Sequence, residues 1–157
     1  MSSCCFTGHR KIENREKLQK DLLTVLETLI KNGATDFYAG GAIGFDTLAA
    51  DAVLRLREKY PHIRLHLVLP CSRDEQTKYW TPAQRAEYDR IFSLADTVEY
   101  TAGAYSPDCM KKRNARLTEL ADCCVCCYDK RKASGGTAQT LRMAAKKGIK
   151  IINLFRG

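Results

Sequence analysis

The chain has 157 residues, 45% of them hydrophobic and 28% charged. That balance excludes a disordered polyelectrolyte and fits one domain of ordinary size over residues 1–157, long enough to fold without a metal or disulfide staple. The formal net charge of +8 favours an anionic partner, without choosing between a phosphate ligand, a nucleic acid and plain solubility. The opening Met1–Phe6 lacks the basic start and apolar core of a secretion signal, and no apolar run approaches the ~20 residues of a membrane helix. The expectation is a cytoplasmic protein with no membrane partner.

Strand and helix signals alternate along the chain. Cys4-Cys5-Phe6 is a short apolar run closed by Thr7-Gly8. Leu18, Leu22, Leu26 and Leu29 recur at helical spacing until Asn32-Gly33 stops them. Asp36–Ala39 predicts a second strand, and Leu48, Ala49, Ala52, Val53 and Leu56 give the stretch Asp46–Lys59 an amphipathic helical face. Ile63–Leu69 predicts a third strand, followed by a polar loop over Cys71–Thr81. Thr81-Pro82 has the cap-then-proline order of a helix start. Asp96–Tyr100 predicts a fourth strand, Met110–Ala121 a basic helix and Cys123–Tyr128 a fifth strand. Ser134-Gly135-Gly136-Thr137 opens a helix that Gly148 ends, and Ile149–Phe155 predicts the last strand. Six strands with helices between them predict an α/β, doubly wound, mainly parallel sheet covered on both faces.

Eight cysteines raise the question of a disulfide framework. Six of them lie inside apolar strand runs, where neighbours point to opposite faces, and the C-x-x-C spacings at 123–126 and 124–127 show no turn between would-be ligands. The expectation is reduced, buried thiols that pack as small hydrophobes, with no metal site and no assigned cofactor.

Three loops follow a strand and precede a helix: Thr7-Gly8-His9-Arg10, Gly40-Gly41-Ala42-Ile43-Gly44-Phe45-Asp46 and Ser134-Gly135-Gly136-Thr137. In a parallel sheet all three leave the carboxyl edge, where ligands bind and helix N-termini present free N–H groups. Glycines there let the backbone approach a phosphate, although each could equally serve a tight turn or close packing. No loop is a Walker motif, and the second is not a G-x-G-x-x-G fingerprint.

These loops, with Tyr60-Pro61, Leu67-Val68-Leu69-Pro70, Gln76, Trp80, Tyr88, Ala95-Asp96 and Thr140, resemble the YpsA-like family of the SLOG superfamily nearly end to end. Relatives of that family include the DNA-processing protein DprA and the Lonely Guy phosphoribohydrolases. The resemblance implies a Rossmann-like fold and a pocket for a nucleotide or nucleotide-derived ligand. It implies phosphate or ribose contacts for Gly8, Gly40, Gly41, Gly44, Gly135, Gly136 and Thr137. Thr7 and Ser134 belong to the same loops. Arg10 adds a charge-assisted bond to a phosphate. Asp46 is read either as a helix cap or as a ribose or metal contact. Trp80 is read as a base-stacking ring or a cover for the sheet edge, with Gln76 on the same loop. Arg113 and Asn114 point toward the same edge, and His9 is read as a phosphate or backbone contact before a proton-transfer group.

The Lonely Guy pattern P-G-G-x-G-T-x-x-E is broken here, because no proline precedes Gly135 and no glutamate follows in the first turns of the helix. Glycosidic hydrolysis requires a carboxylate beside the scissile bond, and Asp46 is the only one in the three loops. The first expectation is therefore a nucleotide-binding or nucleotide-sensing module, with a homo-oligomer as a further possibility for assembly. The alternative is a nucleotide hydrolase of the phosphoribohydrolase type. A DprA-like single-stranded nucleic-acid binder comes third, since Lys111–Arg116 holds charges without the interleaved aromatics that stack bases.

Overall fold

The computed structural model describes residues 2–132 and 135–155. Six strands form one sheet: β1 (Ser3–Gly8), β2 (Asp36–Ala39), β3 (Arg64–Leu69), β4 (Thr97–Tyr100), β5 (Cys123–Cys127) and β6 (Lys150–Asn153). The spatial order is β4-β3-β2-β1-β5-β6, and every neighbouring pair is parallel. The helices are α1 (Arg15–Lys31), α2 (Phe45–Lys59), the single turn α3 (Arg73–Gln76), α4 (Pro82–Leu94), α5 (Cys109–Leu120) and α6 (Gly136–Lys146). The expected α/β, Rossmann-like, doubly wound architecture is the one observed.

Right-handed crossovers dictate the layering. Stepping outward from β1 through β2 and β3 to β4 puts α1, α2 and α4 on one face, where α2 packs against both α1 and α4. Returning past β1 to β5 and β6 puts α5 and α6 together on the other. The direction of travel reverses between β1 and β5, so the loops after these strands part and leave a crevice at their carboxyl ends.

The predicted periodicities are core faces. Leu18, Leu22, Leu26, Leu29 and Ile30 of α1 are buried, each leucine contributing roughly 2 kcal/mol of transfer energy. Asn14 caps α1 by accepting from the Lys17 N–H at 3.3 Å. Thr81 and Gln84 complete a reciprocal capping box at α4, with Pro82 in its first turn. One difference lies within the predicted loop 71–81, where residues 73–76 coil into α3.

All eight cysteines are among the described residues and are unbridged, seven of them buried. Strand alternation divides them between the two faces. Cys4 sits opposite Cys123 and packs into the core under α1 and α2, while Cys5 sits opposite Cys124 and packs, with Cys126, under α5 and α6. Burial pushes the Cys126 thiol well above its usual range. No helix among the described residues is long and apolar enough to cross a membrane.

Candidate functional site

A cavity of about 360 Å³ opens at the crevice between β1 and β5. β1 and its loop contribute Thr7, Gly8, His9 and Arg10, while Ala42 comes from the loop after β2 and Asp46 from the first turn of α2. α5 contributes Met110, Arg113 and Asn114, and the N-terminus of α6 contributes Gly135, Gly136 and Thr137. Its volume lies in the range of small-ligand sites.

Asp46 lies in the first turn of α2, whose N-cap is Gly44, so the aspartate is not itself the cap. Its carboxylate accepts the Ala42 N–H at 3.3 Å. The side chain is buried, and that burial pushes its pKa up to about 6 against the opposing pull of Arg113, the Ala42 N–H and Arg10. Arg113 is buried as well. It donates to the Gly40 carbonyl, to Asn114 Oδ1 at 2.8 Å and to the Met110 sulfur at 3.7 Å. Burial works against the guanidinium charge, and Asp46 offsets it. Asn114 in turn donates to Gln139 Oε1 at 3.3 Å, tying α5 to α6.

His9 Nε2 accepts the Asp129 N–H at 3.0 Å, which places the ring proton on Nδ1. Burial, followed by the nearby Lys132, lowers its pKa, so the imidazole is neutral near pH 7. Arg10 is exposed at the mouth. The N-cap of α6 is Gly135 at φ 105°, without a side-chain capping bond. The positive end of a helix three turns long therefore faces the cavity, where an anion is stabilised by about 0.3–1 kcal/mol per contact.

The structure sorts the expected residues into two groups. Thr7, Gly8, His9, Arg10, Asp46, Arg113, Asn114, Gly135, Gly136 and Thr137 line the cavity; Ser134 lies outside the described residues. The common lining expected for Gly41 and Gly44 is not what the fold produces. A Cβ on Gly41 would overlap Leu69, and one on Gly44 the Arg10 backbone. Gly40 sits behind Arg113. Gln76 is buried and donates to the Gly41 carbonyl at 3.1 Å. Trp80 packs edge-on against Tyr88 at 5.7 Å, away from the cavity. Sequence reasoning did not single out Met110 or Ala42, whose only signal is their place one turn before Arg113 and Asp46.

The sequence model of the YspA SLOG family matches residues 4–153. The chain is 34% identical over 143 residues to an uncharacterized SPbeta prophage-derived protein, YoqJ, of Bacillus subtilis, covering 83% of this chain and 81% of that one. It is 31% identical to a UPF0398 protein of Halalkalibacterium halodurans, over 76% of this chain but only 62% of that longer one. Among solved structures, DNA processing protein A from Helicobacter pylori, studied for its single-stranded DNA binding mode, superposes with a TM-score of 0.70. That similarity spans 99% of this chain and 66% of the other at 20% identity, so it bears on the fold alone. With the family pattern running from the first strand to the last and the sheet order observed, the chain belongs to the YspA SLOG family.

Proposed function

We propose that the cavity between β1 and β5 binds a nucleotide or nucleotide-derived ligand, with a phosphate seated on the N-terminus of α6. The observation that carries this reading is the open approach to that helix. Among the described residues nothing lies within 4 Å of where a Gly135 side chain would stand, and a Gly136 side chain would meet only Asn114 Nδ2, at 3.8 Å. Free backbone N–H groups, Arg10 at the mouth and the buried Arg113 guanidinium surround the same space. Sugar hydroxyls find partners in Thr7, Asp46 and Asn114.

Calorimetric titration with a panel of nucleotides tests the reading. Gly136→Asp is expected to fold, because the space is open, and to lose binding through charge repulsion with the phosphate. Absence of binding by the wild type, or undiminished binding by folded Gly136→Asp, overturns it.

A second reading, hydrolysis of the ligand's glycosidic bond, draws on Asp46. A buried carboxyl with its pKa near 6 is suited to proton transfer at neutral pH. As the bond to the anomeric carbon breaks, the carboxylate stabilises the developing positive charge; water supplies hydroxyl to the sugar and a proton to the departing base. Release of free base by the wild type, lost in Asp46→Asn with binding retained, supports this reading. Binding without release eliminates it. A single-stranded nucleic acid, the partner of the Helicobacter pylori protein, is separated from both by salt: its affinity falls steeply as salt rises.

A further inference from the structure

The turn after β3 and the start of α5 bring two cysteines together at the carboxyl edge of the sheet. Cys71 stands two residues past the end of β3, and Cys109 is the first residue of α5. Both are fully buried, and their thiols hydrogen-bond to each other. We propose that Cys71 and Cys109 are a redox pair, which a hydroperoxide joins in a disulfide and a dithiol reductant reopens. The proposal stands apart from the nucleotide reading above.

The other six cysteines lie in β1 and β5, and two pairs of them, Cys4 with Cys123 and Cys5 with Cys124, also have thiols in contact. The backbones of the two kinds of pair are held differently. To close a disulfide, two sulfurs must draw in from hydrogen-bond separation to about 2.05 Å, and the chain that carries them must follow. The strand pairs sit in register on neighbouring strands that are themselves paired on their outer sides, within the apolar clusters of the two sheet faces. Cys71 and Cys109 belong to no strand and to neither cluster. One lies in a turn and the other at a helix end, where the backbone is freer to shift.

Burial, then Cys109, pushes the Cys71 thiol up, and the Arg113 guanidinium, one turn along α5, pulls against them. The loop after β4 leads into Cys109 and is tied to α3 by the Tyr105 N–H, which donates to Glu75 Oε2 at 2.8 Å. A small peroxide reaches the pair when that contact opens. One sulfur attacks a peroxide oxygen, the O–O bond breaks, and a sulfenic acid and one water form. The second sulfur displaces the sulfenic hydroxyl, closing the S–S bond and releasing a second water. Both thiol protons thus leave in water, and the peroxide takes up the two electrons. The link fastens the turn after β3 to the helix that lends Met110, Arg113 and Asn114 to the main cavity.

The test treats the reduced full chain with hydrogen peroxide, blocks remaining thiols by alkylation and maps tryptic peptides by mass. The expected product joins Leu65–Arg73, which holds Cys71, to Ile91–Lys111, which holds Cys109. Dithiothreitol is expected to separate them again. Because the link closes a long loop, the oxidised chain is expected to melt about 5 °C above the reduced one. Cys71→Ala is expected to lose both the linked peptide and the shift, and Cys126→Ala to keep both; Cys109→Ala repeats the first comparison should Cys71→Ala fail to fold. Free thiols at both positions after peroxide, bridging among the strand cysteines instead, or oxidation of Cys71 to sulfinic acid without joining Cys109 overturns the proposal.

Discussion

The loop after β2, Gly40-Gly41-Ala42-Ile43-Gly44, and the loop after β5, with Gly135-Gly136, both carry paired glycines. Both deliver the chain to a helix whose N-cap is a glycine without a side-chain bond. Their surroundings are opposite. Around the first, the protein's own atoms occupy the space a side chain would need: Arg113 at Gly40, Leu69 at Gly41 and the Arg10 backbone at Gly44. Around the second, the described residues leave the space open. Glycine in the first loop serves internal packing; in the second, under the function proposed above, it serves access from outside. The same residue type answers two physical demands, and only the long-range contacts distinguish them.

The sharpest way to break this comparison is to add a methyl group to each loop. Gly44→Ala places a side chain at φ 82° against backbone that cannot move aside. It is expected to cost on the order of 3 kcal/mol, lowering the melting temperature by about 10 °C. Gly135→Ala is strained at φ 105° but meets nothing among the described residues, and is expected to cost only about 1 kcal/mol. Equal losses in thermal melting would mean that the two loops are packed alike.

The next effect concerns the carboxylate through which the β2 side does reach the cavity. Because the folded pKa of Asp46 is raised to about 6 from 3.8, the folded state holds its proton more tightly than the unfolded chain does. Its favourable contribution is complete below about pH 4 and is lost as pH rises through 6. Wild-type stability relative to Asp46→Asn should therefore fall by on the order of 2 kcal/mol between pH 4 and 7. Denaturant titrations across that window measure it; a flat difference would place the Asp46 pKa at its ordinary value.

A smaller effect separates the two ends of α6. Arg10 stands at the cavity mouth, whereas Lys147 caps the far end of that helix. Arg10→Glu is expected to weaken nucleotide binding by about tenfold and Lys147→Glu to leave it unchanged at moderate salt. Equal losses would replace a defined site with a diffuse basic surface. The smallest change is expected for Trp80→Phe, which loosens the contact with Tyr88 and lowers stability slightly with no loss of ligand affinity.

The sheet was largely legible because β1, β3 and β5 are compact apolar runs and α1 and α2 carry apolar residues at helical spacing, as in Leu18–Leu22–Leu26. These signals are local, as are caps such as Thr81-Pro82. The single turn α3 was not legible, since four residues carry no periodicity. Nor was the filling of the first glycine loop, which depends on Arg113 reaching Gly40 across 73 positions of sequence.

The bonds that join α5 to its surroundings have a further consequence. Arg113 fastens α5 to the loop after β2, and Asn114 fastens it to α6, so adjacent residues of one helix strap the crevice from both sides. A ligand entering there meets walls already held in register, and little conformational freedom remains to be surrendered when it binds. Under the proposed function, much of the ordering entropy of recognition would thus be met during folding, and affinity would come from a rigid frame rather than from closure around the guest.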